Sequence, residues 1–409
     1  ISRDRIYKRS SGMELTVDQT FDTVVVGAGV VGGAVAYYLS KQGQRVCLMD
    51  RESVGSGASA HGHGVLSLVG KDFIRGDHFN LGLAGKNMFP EFAAQVADDS
   101  GIDPMFHEKQ GVSLALIEEE LEIYSDALGW QHESVSMQWL DSSQIHDLEP
   151  RITPEALGGV LYNHGQVDAY RLSLALAQAV ERMGGTVVLR EAVGLISQGS
   201  RINGVAYPGG SISSGAVVIA MGAWSNAATD WLQFPIPVKP LHGQVLQLRQ
   251  QGDPVKIFIT TGRHGPIFPR KDGVLLVGSV GGVSMTGADV DTAHVFDPTE
   301  TGPWEYDLNP SEWGRNFMLE QVLKIMPSLE SAEVLAHLAG VRPLCADRMP
   351  LIGSVPGWEG VFLATGHGTK GIHLSGITGR ILSDIMVGGK TSAFNHPEAF
   401  SPARFICPT

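Results

Sequence analysis

Residues 21–50 limit the possible folds more than any other part of the chain. Residues 21–27 (FDTVVVG) are a short β-branched run ending in glycine, the pattern of a strand buried on both faces. Residues 30–43 carry a helical stripe through Val31, Val35, Tyr38 and Leu39 that stops at Gly43. Residues 45–50 (RVCLMD) are a second buried strand, ending in an acid. Strand, helix and strand within about 30 residues make a βαβ unit with a right-handed crossover. At its first turn stands Gly27-Ala28-Gly29-Val30-Val31-Gly32, a G-x-G-x-x-G, and Asp50 closes the second strand. The glycine pattern alone is weak, but in this context it specifies a dinucleotide cradle. Gly27 permits the tight turn, Gly29 lets a pyrophosphate approach the backbone, and Gly32 lets helix and strand pack. The helix N-terminus adds partial positive charge, and Asp50 can accept hydrogen bonds from an adenosine ribose.

Two further loops favour FAD over NAD. Residues 55–64 (GSGASAHGHG) place small residues and the hydroxyls of Ser56 and Ser59 where a bulky cofactor must pass the backbone. Far downstream, residues 365–371 (TGHGTKG) follow a buried strand and open a helix. Such an N-terminus can stabilise negative charge at the pyrimidine end of a flavin. One site assembled from both ends of the chain suits an extended FAD.

Composition bounds the rest. A chain of 409 residues, 43% hydrophobic and 18% charged, can build a sizeable core in two or three domains. No apolar run reaches the roughly 18 residues of a spanning helix, so no integral membrane segment is expected. With 30 basic against 43 acidic residues the net charge of −13 argues against nucleic acid as a partner. Cys47, Cys345 and Cys407 are odd in number and far apart, which fits a reducing compartment, the cytoplasm, and no metal site. Residues 1–12 read as a leader or loose tail outside the fold.

Along the chain, helices are expected at 79–96 (interrupted at Pro90), 121–131, 168–184, 317–323 and 372–386. Strands are expected at 111–117, 186–190, 216–220 and 360–364, with several short ones separated by turns between 244 and 278. The expected fold class is α/β, a Rossmann-like FAD-binding domain interleaved with a mostly antiparallel substrate domain. Its expected boundaries are 13–92, 151–233 and 338–395 for the FAD-binding domain, with 93–150 and 234–337 for the substrate domain.

The segments GAGVVGGAVAYYLSKQG, SGASAHGHG, QVDAYRLSLALAQAVERMGG, VVIAMGAWS, GPIFPRKDGVLLVGS, GVRPLCADRMPLIG and FLATGHGTKGIHLSGITGRILSDIM resemble, in order, the D-amino-acid-oxidase-like flavoproteins. That superfamily includes glycine oxidase, sarcosine oxidase and D-amino-acid dehydrogenases, and the resemblance spans residues 21–389. It implies FAD contacts at Gly27, Gly29, Gly32, Asp50, Ser59, Gly64, Val193 and Gly222, and along Gly366, His367, Gly368, Thr369, Lys370, Gly371 and Ile372. Ala28, Val30, Val31, Arg51, Ser56, Ala58, His61, Gly62, His63, Trp224 and Arg342 complete the expected cofactor set. The resemblance also makes Arg342, in GVRP, the anchor of a substrate carboxylate. A planar guanidinium suits that task, and an acidic protein needs a local cation to hold an anionic amine substrate.

The sequence departs from glycine oxidases at two places. Pro266 stands where they carry a tyrosine, with His264 two residues earlier, and Thr369 replaces an arginine, with Lys370 beside it. The carboxylate clamp is incomplete or rebuilt, which puts glycine itself in question as substrate. In a related dehydrogenase branch a loop histidine bonds covalently to the flavin. His61 sits at a comparable place, although a non-covalent FAD is the expectation. His61 and His63 alone make a poor metal site. Cys345 reads as an ordinary buried thiol, and His242, His264, His367 and His373 are candidates for the substrate cavity. Trp224, Trp304 and Trp313 suit packing.

The expected reaction is hydride transfer from the α-carbon of a small amino acid or N-substituted amino acid to flavin, followed by imine hydrolysis. Arg342 orients the substrate, Lys370 adds positive charge at the flavin, and O2 or another acceptor takes the electrons. A rival reading is a 2-hydroxy-acid or glycerol-3-phosphate dehydrogenase with His264 or His373 as base. Another is a non-catalytic FAD-binding subunit or assembly factor. A homo-oligomer or hetero-subunit assembly is compatible with each.

Overall fold

The computed structural model describes residues 20–70, 72–262, 265–280, 304 and 306–406. The expected leader at 1–12, His264 and Cys407 lie outside the described residues. The first βαβ unit forms as β1 (Thr20–Val26), α1 (Val30–Lys41) and β2 (Val46–Asp50), followed by β3 (Val65–Leu66) and α2 (Asp77–Ser100). Next come β4 (His107–Ala115), α3 (Glu118–Trp130), β5 (Met137–Leu140), α4 (Ser142–Leu148) and β6 (Gly158–Gln166). The central stretch is α5 (Ala169–Arg182), β7 (Thr186–Leu189), β8 (Gly194–Gln198), β9 (Arg201–Tyr207), β10 (Gly210–Ile219) and α6 (Thr229–Leu232). It continues with β11 (Val238–Arg249), β12 (Phe258–Thr261), β13 (Ile267–Pro269), β14 (Leu275–Val280) and α7 (Glu312–Ile325). The chain then runs through β15 (Glu333–Cys345), β16 (Leu351–Ser354), β17 (Val361–Thr365) and α8 (Gly371–Gly388).

The strands form two sheets. The first has the order β16-β17-β10-β1-β2-β7, with β8 and β9 attached at β10. From β17 to β7 every neighbouring pair on that path is parallel, and β16 is antiparallel to β17. β1 is central, with β2 on one side and β10 on the other, so the sheet has its topological switch at the carboxyl end of β1. Open parallel sheets bind ligands at that point. The apolar runs that end there are fully buried, as Val24, Val25, Leu48, Val217, Val218 and Leu363 show. On one face the sheet packs against α1, α5 and α8, on the other against residues such as Phe234, Ile236 and Val238.

The second sheet has the order β15-β11-β14-β13-β12-β4-β6-β3, with β5 on β6. Its pairs are antiparallel except β12 with β4. The architecture is therefore the expected α/β class. The change of sheet does not fall at residue 151, since β6 pairs with β4 in the second sheet. The glycines of β6 hid it from pattern reading, because they leave room for neighbours rather than lacking a partner. A Cβ at Gly158 would lie 2.2 Å from the Trp139 ring, and one at Gly159 2.7 Å from Val112. Pro90 does not interrupt α2, which runs through it with the proline exposed. The carbonyl it leaves unbonded can then face water.

Candidate active site at the junction of the two sheets

Three parallel strand ends converge at the switch point. β1 runs into Gly27, β10 into Ala220–Gly222 and β17 into Thr365, and together they floor one cleft. Gly27 has φ 111°, and a Cβ there would lie 2.2 Å from the Ala220 carbonyl oxygen. A Cβ at Gly32 would meet the Gly27 carbonyl oxygen at 1.9 Å. Both positions therefore exclude any side chain, as the cradle requires. The turn after β10 is pinned to β17: Thr365 Oγ1 donates to the Gly222 carbonyl at 3.1 Å, and Ser225 Oγ to Thr365 Oγ1 at 2.7 Å.

Of the expected cofactor residues, Gly27, Gly29, Val30, Val31, Gly32, Asp50, Arg51, Ser56, Ala58, Ser59 and Gly62 line the cleft. Gly222, Trp224, Arg342, His367, Gly368, Thr369, Gly371 and Ile372 join them from later in the chain. The Asp50 carboxylate is held by backbone N–H groups, Oδ2 accepting from Ala28 at 2.8 Å and Oδ1 from Glu52 at 3.0 Å. Burial nonetheless raises its pKa, which those bonds only partly oppose. Ser59 Oγ accepts from the Val30 N–H at 3.1 Å, so it caps the start of α1. The Arg51 guanidinium lies 4.2 Å from the Trp224 ring centre, and Trp224 stacks on Tyr306 at 5.3 Å.

Several expectations are corrected. Ala28 is buried beneath the turn, and only its N–H engages Asp50. Val193 is 49% exposed with its N–H on the Ala206 carbonyl at 2.9 Å, so β7's end lines the cleft through Arg190, Glu191 and Ala192 instead. Gly64 is closed in by Val167, whose carbonyl oxygen would be 1.8 Å from a Cβ. Gly366 packs on Cys345. Lys370 points away from the cleft wall, its Nζ paired with Asp72 and lying 5.3 Å from the Phe73 ring centre. This cation holds the Asp72 carboxyl below the usual range. His61 folds back, Nδ1 on the Gly57 carbonyl at 3.0 Å, against Gly340 of β15. His63 leaves the cofactor loop altogether and binds the second sheet, Nε2 on the Gly278 carbonyl at 2.8 Å.

The histidines separate in the same way. His367 lines the cleft, with Nε2 on Thr378 Oγ1 at 3.0 Å, and burial lowers its pKa to about 3. His373 belongs to the helix core: Nε2 bonds the Gly82 carbonyl at 2.7 Å, and burial likewise lowers it to about 3. It does not line the cleft. His242 lies on β11 and does not line the cleft, its Nε2 buried without a hydrogen-bond partner among the described residues. Trp313 is exposed and stacks on Phe317, while Lys239 lies over the Trp304 ring. Both suit packing, whereas Trp224 is a cleft wall.

Arg342 joins the two regions. It lies on β15, yet its guanidinium folds over Gly243 of the neighbouring β11, where a Cβ would meet its carbon and nitrogens at 2.4–2.5 Å. Gly243 pairs directly with Gly340, so two opposed glycines open a window in the sheet face beneath Arg342 and His61. Burial works against the guanidinium charge, and the Asp72 carboxylate supports it. Nothing in the sequence singled out Gly243; the cleft wall at Arg190–Ala192 had a signal, since β7 ends beside Asp50.

The residues fit FAD: a cradle that admits no Cβ, a carboxylate at the end of the second strand, an aromatic plane at Trp224, and a wall drawn from both chain ends. Among the described residues no group of three His, Cys, Asp or Glu side chains can hold a metal ion. No helix among them is long and apolar enough to cross a membrane.

Comparisons with known proteins agree with this geometry. Residues 22–385 match the family described as FAD dependent oxidoreductase. The chain is 31% identical to a glycine oxidase of Geobacillus kaustophilus over 92% of this chain and 95% of that protein. It is 28% identical to a glycine oxidase of Pseudomonas aeruginosa over 93% and 98%. A crystal structure of glycine oxidase from Geobacillus kaustophilus superposes with a TM-score of 0.83 at 29% identity, covering 95% of this chain and all of that one.

Proposed function

Because the chain belongs to the FAD-dependent oxidoreductase family, we propose that its substrate is a small amino acid or N-substituted amino acid held through its carboxylate by Arg342. The enzyme is an FAD-dependent amino-acid oxidoreductase that oxidises a C–N bond. FAD, when bound, would accept the hydride, which carries both electrons of the oxidation. The G-x-G-x-x-G turn, Asp50, Trp224 and, from the 366–372 loop, His367, Gly368, Thr369, Gly371 and Ile372 are the residues that would hold it. The single observation that carries the substrate reading is the Arg342 guanidinium, the one expected anchor present both in the cleft wall and on the antiparallel sheet.

The chain's own contribution to the chemistry is placement. A carboxylate on the fork of Arg342 is fixed in direction as well as position, which presents the α-carbon toward the cleft. The apolar residues Val245, Phe258, Phe268 and Leu276 cluster on this sheet and limit water near it. Oxidation of an amine by hydride loss needs no strong protein base once the nitrogen is unprotonated. The rival C–O oxidation needs a base; of its two candidates His264 lies outside the described residues, and the burial of His373 with its bond to the Gly82 carbonyl weighs against that role. A non-covalent FAD fits the position of His61, whose ring is clamped between Gly57 and Gly340. Cys47 and Cys345, both buried free thiols, suit a reducing compartment such as the cytoplasm. O2 or another acceptor would complete the cycle.

The test is anaerobic mixing of the yellow holoenzyme with a panel of amino acids, N-methyl amino acids and 2-hydroxy acids. Bleaching by amines and not by hydroxy acids is expected; the opposite order would overturn the reading. Acid precipitation of the same sample is expected to release the colour, and colour retained in the pellet would make His61 the attachment candidate.

A further inference from the structure

Arg342 fixes a substrate at one end only, and a single ion pair leaves the amine free to turn. The strand beside β11 holds a second polar side chain, His63. His63 is half-buried on the segment between the cofactor loop and β3, and both its backbone and its ring are fixed. Gln166 Nε2 on β6 donates to the His63 carbonyl at 3.3 Å, and the ring meets Phe268 of β13 edge-on at 5.5 Å. Its Nε2 lies 2.8 Å from the Gly278 carbonyl oxygen on β14. A carbonyl only accepts, so Nε2 carries the proton and Nδ1 carries the lone pair. Among the described residues Nδ1 has no hydrogen-bond partner. β14 is the neighbour of β11 on the side away from β15, so His63 is fixed one strand beyond the guanidinium that lies over Gly243. Burial, with the Arg342 charge as a smaller contribution, lowers the His63 pKa to about 4. The imidazole is therefore neutral, an acceptor rather than a second cation, held at the strand next to the one Arg342 lies over.

We propose that His63 is a substrate-binding residue whose Nδ1 accepts a hydrogen bond from the amine of a substrate whose carboxylate sits on Arg342. This rests on the functional reading above and deepens it. Arg342 recognises any small carboxylate, whereas the pair selects carboxylates with a protic nitrogen on the adjacent carbon. An amine-free carboxylate would leave Nδ1 unsatisfied, and a tertiary amine with no N–H in its free-base form would do the same.

The experiment uses FAD-loaded wild type and the variants His63→Leu and His63→Gln. Acetate affinity is read directly from the perturbation of flavin absorbance, and KM and kcat are measured with the best amine substrate. For His63→Leu a rise in KM of roughly tenfold is expected, the ordinary effect of one lost hydrogen bond to a charged or buried partner, with the acetate Kd within about twofold of wild type. His63→Gln, whose amide both donates and accepts, is expected to recover much of the KM. A KM and an acetate Kd that rise together would show His63 merely shaping Arg342 and overturn the proposal, as would an unchanged KM. If no amine reduces the flavin of the wild type while acetate still binds, the C–N reading itself fails. An active His63→Leu enzyme with normal KM refutes only the role of His63.

Discussion

The cofactor cleft and the sheet face beside it are built on different principles. In the cleft the work is done by backbone: Gly27 and Gly32 are packed against carbonyl oxygens, and Asp50 and Ser59 engage N–H groups of the same turn. On the sheet face it is done by side chains drawn from separate strands: Arg342 from β15 across Gly243 of β11, with His63 fixed to β14. Backbone cradles need a local sequence, whereas a side-chain constellation needs only that the fold bring distant residues together. Damage to the first should remove the cofactor, and damage to the second should spare it.

The sharpest way to break this division is Gly27→Ala. Its Cβ would fall 2.2 Å from the Ala220 carbonyl on an adjacent strand, at a φ that alanine resists. Neither backbone can yield cheaply, so destabilisation of about 3 kcal/mol or more is expected, together with loss of bound FAD. A melting curve and the ratio of flavin to protein absorbance check both. Arg342→Met comes next. Removing the charge that meets the substrate carboxylate should lower kcat/KM by roughly 10²–10³ with FAD content unchanged. Full activity in that variant would remove the anchor from the account.

Gly243→Ala sharpens the comparison further, because it touches no ligand. Its Cβ would take the space of the Arg342 guanidinium, the flexible end of a long side chain, so the anchor moves rather than the sheet. An increase in KM of about tenfold is expected, with an unshifted flavin spectrum and a melting point close to wild type.

The smallest expected effect concerns pH. His78 has its pKa lowered to about 4, and His367 and His373 to about 3, in each case chiefly by burial. Below the ordinary value of 6.5 the unfolded chain binds protons that the folded chain refuses, so stability falls as pH drops from 6.5 toward these values. His373→Leu should flatten that slope by up to one proton in urea titrations at pH 5 and 7, whereas an unaltered slope would show that His373 titrates normally.

The sequence carried the cleft well because its signals are contiguous. Glycine spacing, a buried strand on each side and an acid at the second strand's end can be read along the chain. Ser59 and the Gly368–Ile372 stretch were legible in their own loops and in the family resemblance and do line the cleft, apart from Lys370, whereas Trp224, whose ring suited packing, is also a cleft wall. The sheet face was legible only at Arg342. His63 read as a cofactor residue because it lies four positions from Ser59, yet the chain turns away between them and delivers it to β14. Lys370 read as a free cation because its partner, Asp72, is nearly 300 residues away. β6 passed unnoticed because its glycines accommodate Trp139 and Val112, contacts no local pattern records.

The most direct measurement is the rate of anaerobic flavin reduction in wild type and Arg342→Met, at matched FAD content, over a range of concentrations of the best amino acid and of the corresponding carboxyl-free amine. The account predicts fast, saturable reduction of the wild type by the amino acid, slow reduction by the amine, and equal slow rates for the two compounds in the variant. A variant that still prefers the amino acid by the wild-type margin would contradict it.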